Sequence, residues 1–277
     1  MDNRRMCPNC RAFITTSDKV CPYCDFKVGP RAIERRAPAD VLGGLIPHAR
    51  FTTVVILLIN TGLYAAMAIH SMQSSGRGSV TDLDPYTLLD FGAKYGPRIR
   101  AGDWWRLVTA GFLHGGVLHI LMNSWVLFDL GAQAEENYGT SRYLVIYVFT
   151  TVTGFYGSFL WSPTLSIGSS AGIFGLIGAM IALGVKDRSA YGAAVRSLYM
   201  RWAMYGLLMG LLPLFAVDNA AHIGGLIGGF VLAYLAGTPR LVGSIESVWK
   251  VAAGVAVAVT VVAFALMFRG MMFSNNL

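Results

Sequence analysis

The stretch SIGSSAGIFG, residues 166–175, holds a G-x-S-x-G pattern at Gly168, Ser169, Ser170, Ala171 and Gly172. It reads either as a serine nucleophile on a tight turn or as small residues where two membrane helices touch. A chain with 32 glycines produces such runs without chemistry, so the surroundings decide. Those surroundings are apolar: 55% of the 277 residues are hydrophobic, only 13% are charged, and the mean hydropathy is +0.53. The bilayer is therefore the first solvent to consider. A soluble α/β-hydrolase elbow needs a strand before the serine and a sheet around it, and these neighbours exclude it.

Apolar runs lie at about 51–71, 113–131, 143–161, 169–185, 199–216, 220–237 and 248–268. Most approach the ~20 residues of a spanning helix. The fourth and sixth are short and glycine-rich, as suits helices surrounded by protein. The expected fold is an all-α polytopic membrane protein with seven spans. No signal peptide opens the chain, so the polar N-terminal head is expected in the cytosol. With the head inside, inner segments carry 16 of the 22 Lys and Arg, in keeping with the positive-inside rule. The net charge of +7 is thereby assigned to topology and anionic headgroups, and nucleic acid is discounted as a partner.

Residues 1–27 form the head, where Cys7, Cys10, Cys21 and Cys24 occupy two C-P-x-C knuckles. Four thiolates in two close pairs suit a structural tetrahedral Zn²⁺, with iron an equivalent occupant in sequence terms. The alternatives are two disulfides or a redox C-x-x-C; a reducing cytosol and the absence of a βαβ pattern disfavour them. Residues 28–50 read as a linker along the membrane surface, with Arg31, Arg35 and Arg36 as headgroup contacts. His48 and His70 read as interfacial residues. The head is open to a cytosolic partner, a sensing role or simple anchoring of the linker.

Spans two, four and six all begin at the outer face. Their starts hold His114, His119 and Asn123, then Ser170, then His222. Polar side chains at membrane depth are by default a site hypothesis. His119 and Asn123, four apart, share one helical face and are read either as interhelical hydrogen-bond glue or as part of a site. Gly225 and Gly229 follow His222 at i+3 and i+7, while Ala171, Gly175 and Gly178 make a smooth strip beside Ser170. Small faces let backbones approach, which would bring Ser170 Oγ within hydrogen-bond reach of His222.

In this arrangement residues 51–240 resemble the rhomboid family of intramembrane serine proteases. The resemblance rests on Trp105 and Arg106 in the first outer loop and on His114, His119 and Asn123. It continues with Glu135 and Gly139, with Gly168, Ser170, Phe174 and Gly175, and with Ala221, His222, Gly225 and Gly229. It implies a six-helix core, to which residues 241–277 add a seventh helix and a tail. It also implies a Ser170–His222 dyad without a catalytic cofactor, an oxyanion site at His119 and Asn123, and supporting roles for His114, Phe174, Gly168 and Gly225. Transmembrane protein substrates follow, with the site opening outward from what reads as a bacterial cell membrane. One departure is Ala171, where the family usually has glycine; its methyl is expected to tighten the oxyanion pocket slightly. Asp218 lies four residues before His222 and could orient it, but the resemblance implies a dyad. Phe174 either stacks on His222 or simply packs. The competing readings are a catalytically inactive client-binding relative and a transporter or metal protein using His114, His119 and His222. The spacing in HGGVLH lacks the glutamate of zinc proteases.

Overall fold

The computed structural model describes residues 4–7, 9–15, 18–28, 50–74, 79–212, 217–239 and 245–274. The linker contacts expected at Arg31, Arg35, Arg36 and His48 lie outside the described residues. Met1–His48 and Ala49–Leu277 are separate compact units.

In the first unit, β1 (Arg4–Met6) pairs antiparallel with β2 (Phe13–Thr15). Each cysteine knuckle closes in the same way. Arg11 N–H donates to Cys7 O and Asp25 N–H to Cys21 O, both at 3.0 Å. Cys7 N–H donates to Ala12 O and Cys21 N–H to Phe26 O, both at 2.9 Å. Arg11 and Asp25, directly after the knuckles, take positive φ of 59° and 55°. Cys7, Ile14, Cys21 and Val28 are the buried apolar core, too small to hold a fold without a further crosslink.

The second unit is helical: α1 (Phe51–Ser74), α2 (Pro85–Asp90), α3 (Gly96–Arg100), α4 (Arg106–Thr109), α5 (Val117–Trp161), α6 (Ser170–Lys186), α7 (Ala190–Met209), α8 (Asn219–Ala236) and α9 (Ile245–Ser274). Among the described residues, α1, α5, α8 and α9 are long and apolar enough to cross a membrane, and α6 is a shorter apolar helix. The chain is an all-α polytopic membrane protein, and each of the seven apolar runs lies mainly on a helix over its described residues.

α5 carries two of those runs in 45 residues. It breaks at Gly139, whose φ of 71° and ψ of 159° are open essentially to glycine alone. Its two arms then fold against each other: a Cβ on Gly131 would lie 3.0 Å from the Tyr143 hydroxyl. At this bend Glu135 is 3% exposed. Its Oε1 accepts from Thr52 N–H (3.1 Å), Thr52 Oγ1 (2.5 Å) and Thr140 Oγ1 (3.1 Å). Its Oε2 accepts from Thr53 N–H and Thr53 Oγ1, both at 3.3 Å. The carboxylate thus caps the first turn of α1 from another helix, where amides lack intrahelical partners.

Two boundaries differ from the hydropathy reading. The second helix starts at Val117 rather than 113, because the chain is extended up to Gly116. The fifth is Ala190–Met209 instead of 199–216. Ser189 Oγ caps it by accepting from Gly192 N–H, and its first turns are amphipathic, with Arg196 and Arg201 exposed, so an apolar window sees only the later part.

α6 sits at the centre, against α5, α7 and α8, and is buried on nearly every side. α9 is fastened by the Arg142 guanidinium, which donates to both oxygens of Glu246 at 2.6 and 2.9 Å, and by Phe264 edge-on to Phe112 at 5.6 Å.

Candidate active site

The glycines explain how three helices reach one point. A Cβ on Gly225 would strike the Ala171 carbonyl, and one on Gly229 the Gly175 carbonyl. A Cβ on Gly154 would lie 2.7 Å from Ala221 O and 2.8 Å from Ala171 Cβ. Backbones of α5, α6 and α8 therefore touch, as the glycine spacing predicts. The Ala171 methyl is fully buried toward Gly154, among Phe155 and Ala221. It fills the helix interface, so the expected tightening of a pocket at Ser170 does not occur by this methyl.

Ser170 is the first residue of α6, and no side chain caps that helix start. The preceding loop is pinned to the chain on both sides of α4. Lys94 and Ser166 exchange two backbone hydrogen bonds at 3.0 Å, and Gly168 N–H donates to Ala110 O at 2.9 Å. Lys94 Nζ, on a fully buried side chain, donates to Ser162 O (2.7 Å) and Thr164 O (3.0 Å). Gly168 has φ 127°, and a Cβ there would lie 2.8 Å from His119 Nε2 and 3.5 Å from Ser170 Oγ. The absent side chain leaves His119 and the serine facing one small space.

His119 Nδ1 accepts from Gly115 N–H at 3.5 Å, which leaves Nε2 to carry the proton on the side facing Gly168. His114 is fully buried, edge-on to His119 at 5.0 Å, with Nε2 3.3 Å from Ser169 Oγ. Asn123 Nδ2 donates to His119 O at 3.0 Å, so its amide is turned to its own helix.

His222 lies in the first turn of α8, 6% exposed. Its ring stacks on Phe174, centroids 4.0 Å apart and planes 12° apart, one turn along α6 from Ser170. Its Nδ1 is buried without a partner. Among the described residues no hydrogen bond joins Ser170 to His222. Asp218 does not bond the ring: its carboxylate accepts from Ala221 N–H at 3.0 Å and from Ser158 Oγ.

Trp105 and Arg106 hold the loop between α1 and α5. Arg106, 5% exposed, donates to Leu89 O (2.7 Å), Ala93 O (3.1 Å) and Asp103 (3.1 Å) and lies over the Trp105 ring. Sequence reasoning missed Ser169, Lys94 and Ser158. Ser169 sits beside the motif serine, but the other two carry no local signal.

In the head, the four Sγ atoms lie within 4.8 Å of one another, with Cys7–Cys24 and Cys10–Cys21 both at 3.7 Å. A tetrahedral Zn–S₄ centre has S···S edges of about 3.8 Å. The thiols are not disulfide-bonded, and Tyr23 N–H points at Cys21 Sγ (3.4 Å). This donor set fits such a metal.

The family profile described as "Rhomboid domain" matches residues 101–239. The chain is 38% identical over 154 residues to "Rhomboid protease GluP" of Bacillus subtilis (strain 168), covering 56% of this chain and 30% of that one. It is 36% identical over 154 residues to "RHOMBOID-like protein 7" of Arabidopsis thaliana, 54% of this chain and 48% of that one. "Putative rhomboid protease YdcA" of Bacillus subtilis (strain 168) is 29% identical over 143 residues, 51% of this chain and 71% of that one. The match thus spans less than half the length of the first two relatives. With a profile match over half its length, on the helices that carry His119, Ser170 and His222, this chain belongs to the rhomboid family.

Proposed function

We propose that the protein is an intramembrane serine endopeptidase that cuts membrane proteins in or near their transmembrane segments, with Ser170 as nucleophile and His222 as base. The observation that carries this reading is the stacking of His222 on Phe174, one helical turn from Ser170. The protease names of two relatives support the reaction class.

Ser170 Oγ attacks the substrate carbonyl as its proton passes to His222. His222 then gives that proton to the departing amine as the C–N bond breaks, leaving an ester on Ser170. Water repeats the sequence and frees the acid. The oxyanion is met by His119 Nε2–H, by the uncapped amides at the start of α6 and by the Asn123 amide after a turn away from its own helix; the α6 dipole adds to these. Free-enzyme hydrogen bonds are often long and tighten when substrate binds, which accounts for the open Ser170–His222 pair. A peptide bond inside a membrane helix is shielded by its i→i−4 bonds, so substrates that unwind easily there are preferred. The head lies in the cytosol of a bacterial cell, the site opens to the outer face, and Cys7, Cys10, Cys21 and Cys24 hold a structural Zn²⁺ that takes no part in the reaction.

Cleavage of a model transmembrane substrate in proteoliposomes tests this. The parent is expected to cut, and Ser170→Ala and His222→Ala to lose cutting and fluorophosphonate labelling alike. Equal cleavage by all three would sink the mechanism. The rival reading, an inactive client-binding protein, is favoured by the missing Ser170–His222 hydrogen bond. It predicts that the parent also fails to label.

A further inference from the structure

We propose that Asp218 is a positioning residue that sets His222 against Ser170 by tying the outer end of α5 to the first turn of α8 beside the loop that leads into α6. This rests on the protease reading above.

Three elements meet at the Asp218 carboxylate. One oxygen accepts from Ala221 N–H (3.0 Å) in the first turn of α8, and the other from Ser158 Oγ near the end of α5. The Ser166 side chain, from the loop before α6, lies close enough to help stabilise the carboxylate charge. Ser158 is fully buried and Ser166 is 8% exposed. Lys94 supplies the compensating charge and holds the same loop through Ser162 O and Thr164 O. Ser166 and Asp218 each stand four residues ahead of a reacting group, Ser170 and His222 respectively. The segments that deliver nucleophile and base therefore pass each other at the Asp218 carboxylate, at the same sequence distance from each reacting group.

The carboxylate bonds to the chain rather than to the ring. Its two oxygens accept from Ala221 and Ser158, while His222 Nδ1 has no partner. His222 N–H donates to Asp218 O at 3.1 Å, so any shift of the cap moves the imidazole with it. A neutral cap would satisfy Ala221 equally well. The half-buried carboxylate near Lys94 also takes a charge-assisted bond from Ser158 on α5.

The test compares the parent with Asp218→Ala and Asp218→Asn in proteoliposomes. Rates are scaled to folded enzyme by thermal unfolding, and the His222 ring nitrogens are followed in ¹⁵N-histidine-labelled protein. Asp218→Ala is expected to lower kcat by about one to two orders of magnitude, since ångström-scale misplacement has effects of that size. KM is expected to stay within twofold, with the His222 resonances displaced. Asp218→Asn, whose Oδ1 still accepts from Ala221 N–H and whose Nδ2 can donate to Ser158 Oγ, is expected to recover most of the rate. An unchanged kcat per folded Asp218→Ala enzyme, a loss confined to KM, or unmoved His222 resonances overturns the proposal. If the parent itself neither cuts nor labels at Ser170, the protease reading fails, and the His222 resonances still decide whether Asp218 positions the ring.

Discussion

The Phe174 ring is held between the imidazole of His222, at a centroid distance of 4.0 Å, and the bare Cα of Gly206 on α7, where a Cβ would lie 2.5 Å from Phe174 Cζ. The base therefore rests on a side chain that α7 pushes from behind.

Phe174→Leu removes the stacking surface. Such aromatic pairs contribute about 0.5–1.5 kcal/mol, so kcat is expected to fall two- to tenfold. Gly206→Ala, which touches neither Ser170 nor His222, is expected to lower kcat by displacing the same ring. Steady-state cleavage in proteoliposomes reads both; a parent-like Gly206→Ala rate counts against the support role of Phe174.

Glycines at helix contacts and glycines facing outward should differ sharply. Gly225→Ala drives a methyl into the Ala171 carbonyl and is expected to destabilise by about 1–3 kcal/mol. Gly254→Ala and Gly270→Ala on α9 meet nothing within 4 Å, so better helix propensity leaves them neutral or up to about 1 kcal/mol more stable. Thermal unfolding in detergent separates the two classes.

Gly139→Ala is expected to cost about 1–3 kcal/mol even though only a Pro239 carbon comes near, because the strain lies in φ 71°, ψ 159° itself. Unfolding midpoints of Gly139→Ala and Gly62→Ala, where φ is helical and the space open, provide the comparison.

Burial pushes the Asp218 carboxyl up. Bonds from Ser158, Ser166 and Ala221 N–H, with the Lys94 ammonium, more than offset this and hold it below the usual carboxylate range. Its contribution to stability is therefore complete above the unfolded value of about 3.9 and is lost as pH falls through the lower folded value. The parent is expected to lose Tm below about pH 4 more steeply than Asp218→Asn. Parallel Tm–pH curves would contradict the assignment.

Purified protein is expected to carry one zinc per chain, measured by elemental analysis, and to lose it in Cys7→Ser or Cys24→Ser. Fluorophosphonate labelling of Ser170 in the membrane unit should survive that loss. Labelling that disappears with the metal would tie the head to catalysis.

Much of this was legible in the chain because its signals are local. The paired cysteine knuckles, the apolar runs and the i+3, i+7 glycines after His222 each announce a contact within a few residues. The bend in α5 was less legible: GAQAEENYGTSR looks like a connecting loop, yet it stays helical up to Gly139 because Glu135 finds its donors on α1. The start of α7 was hidden by polar first turns. The destination of the Ala171 methyl depended on Gly154, and the role of Lys94 on carbonyls of Ser162 and Thr164 nearly seventy residues away, pairings that no periodicity records.

Glu135 spreads its two oxygens over Thr52, Thr53 and Thr140. The beginning of α1 and the beginning of the second arm of α5 consequently share a single anchor, and tilting either against the other means unseating a buried charge. Three of the passes that surround the site thus move as one rigid frame. α7 joins this frame through the Tyr199–Gln133 hydrogen bond at 2.8 Å and is tied to α8 by Asn219 Nδ2, which donates to Leu207 O at 3.1 Å.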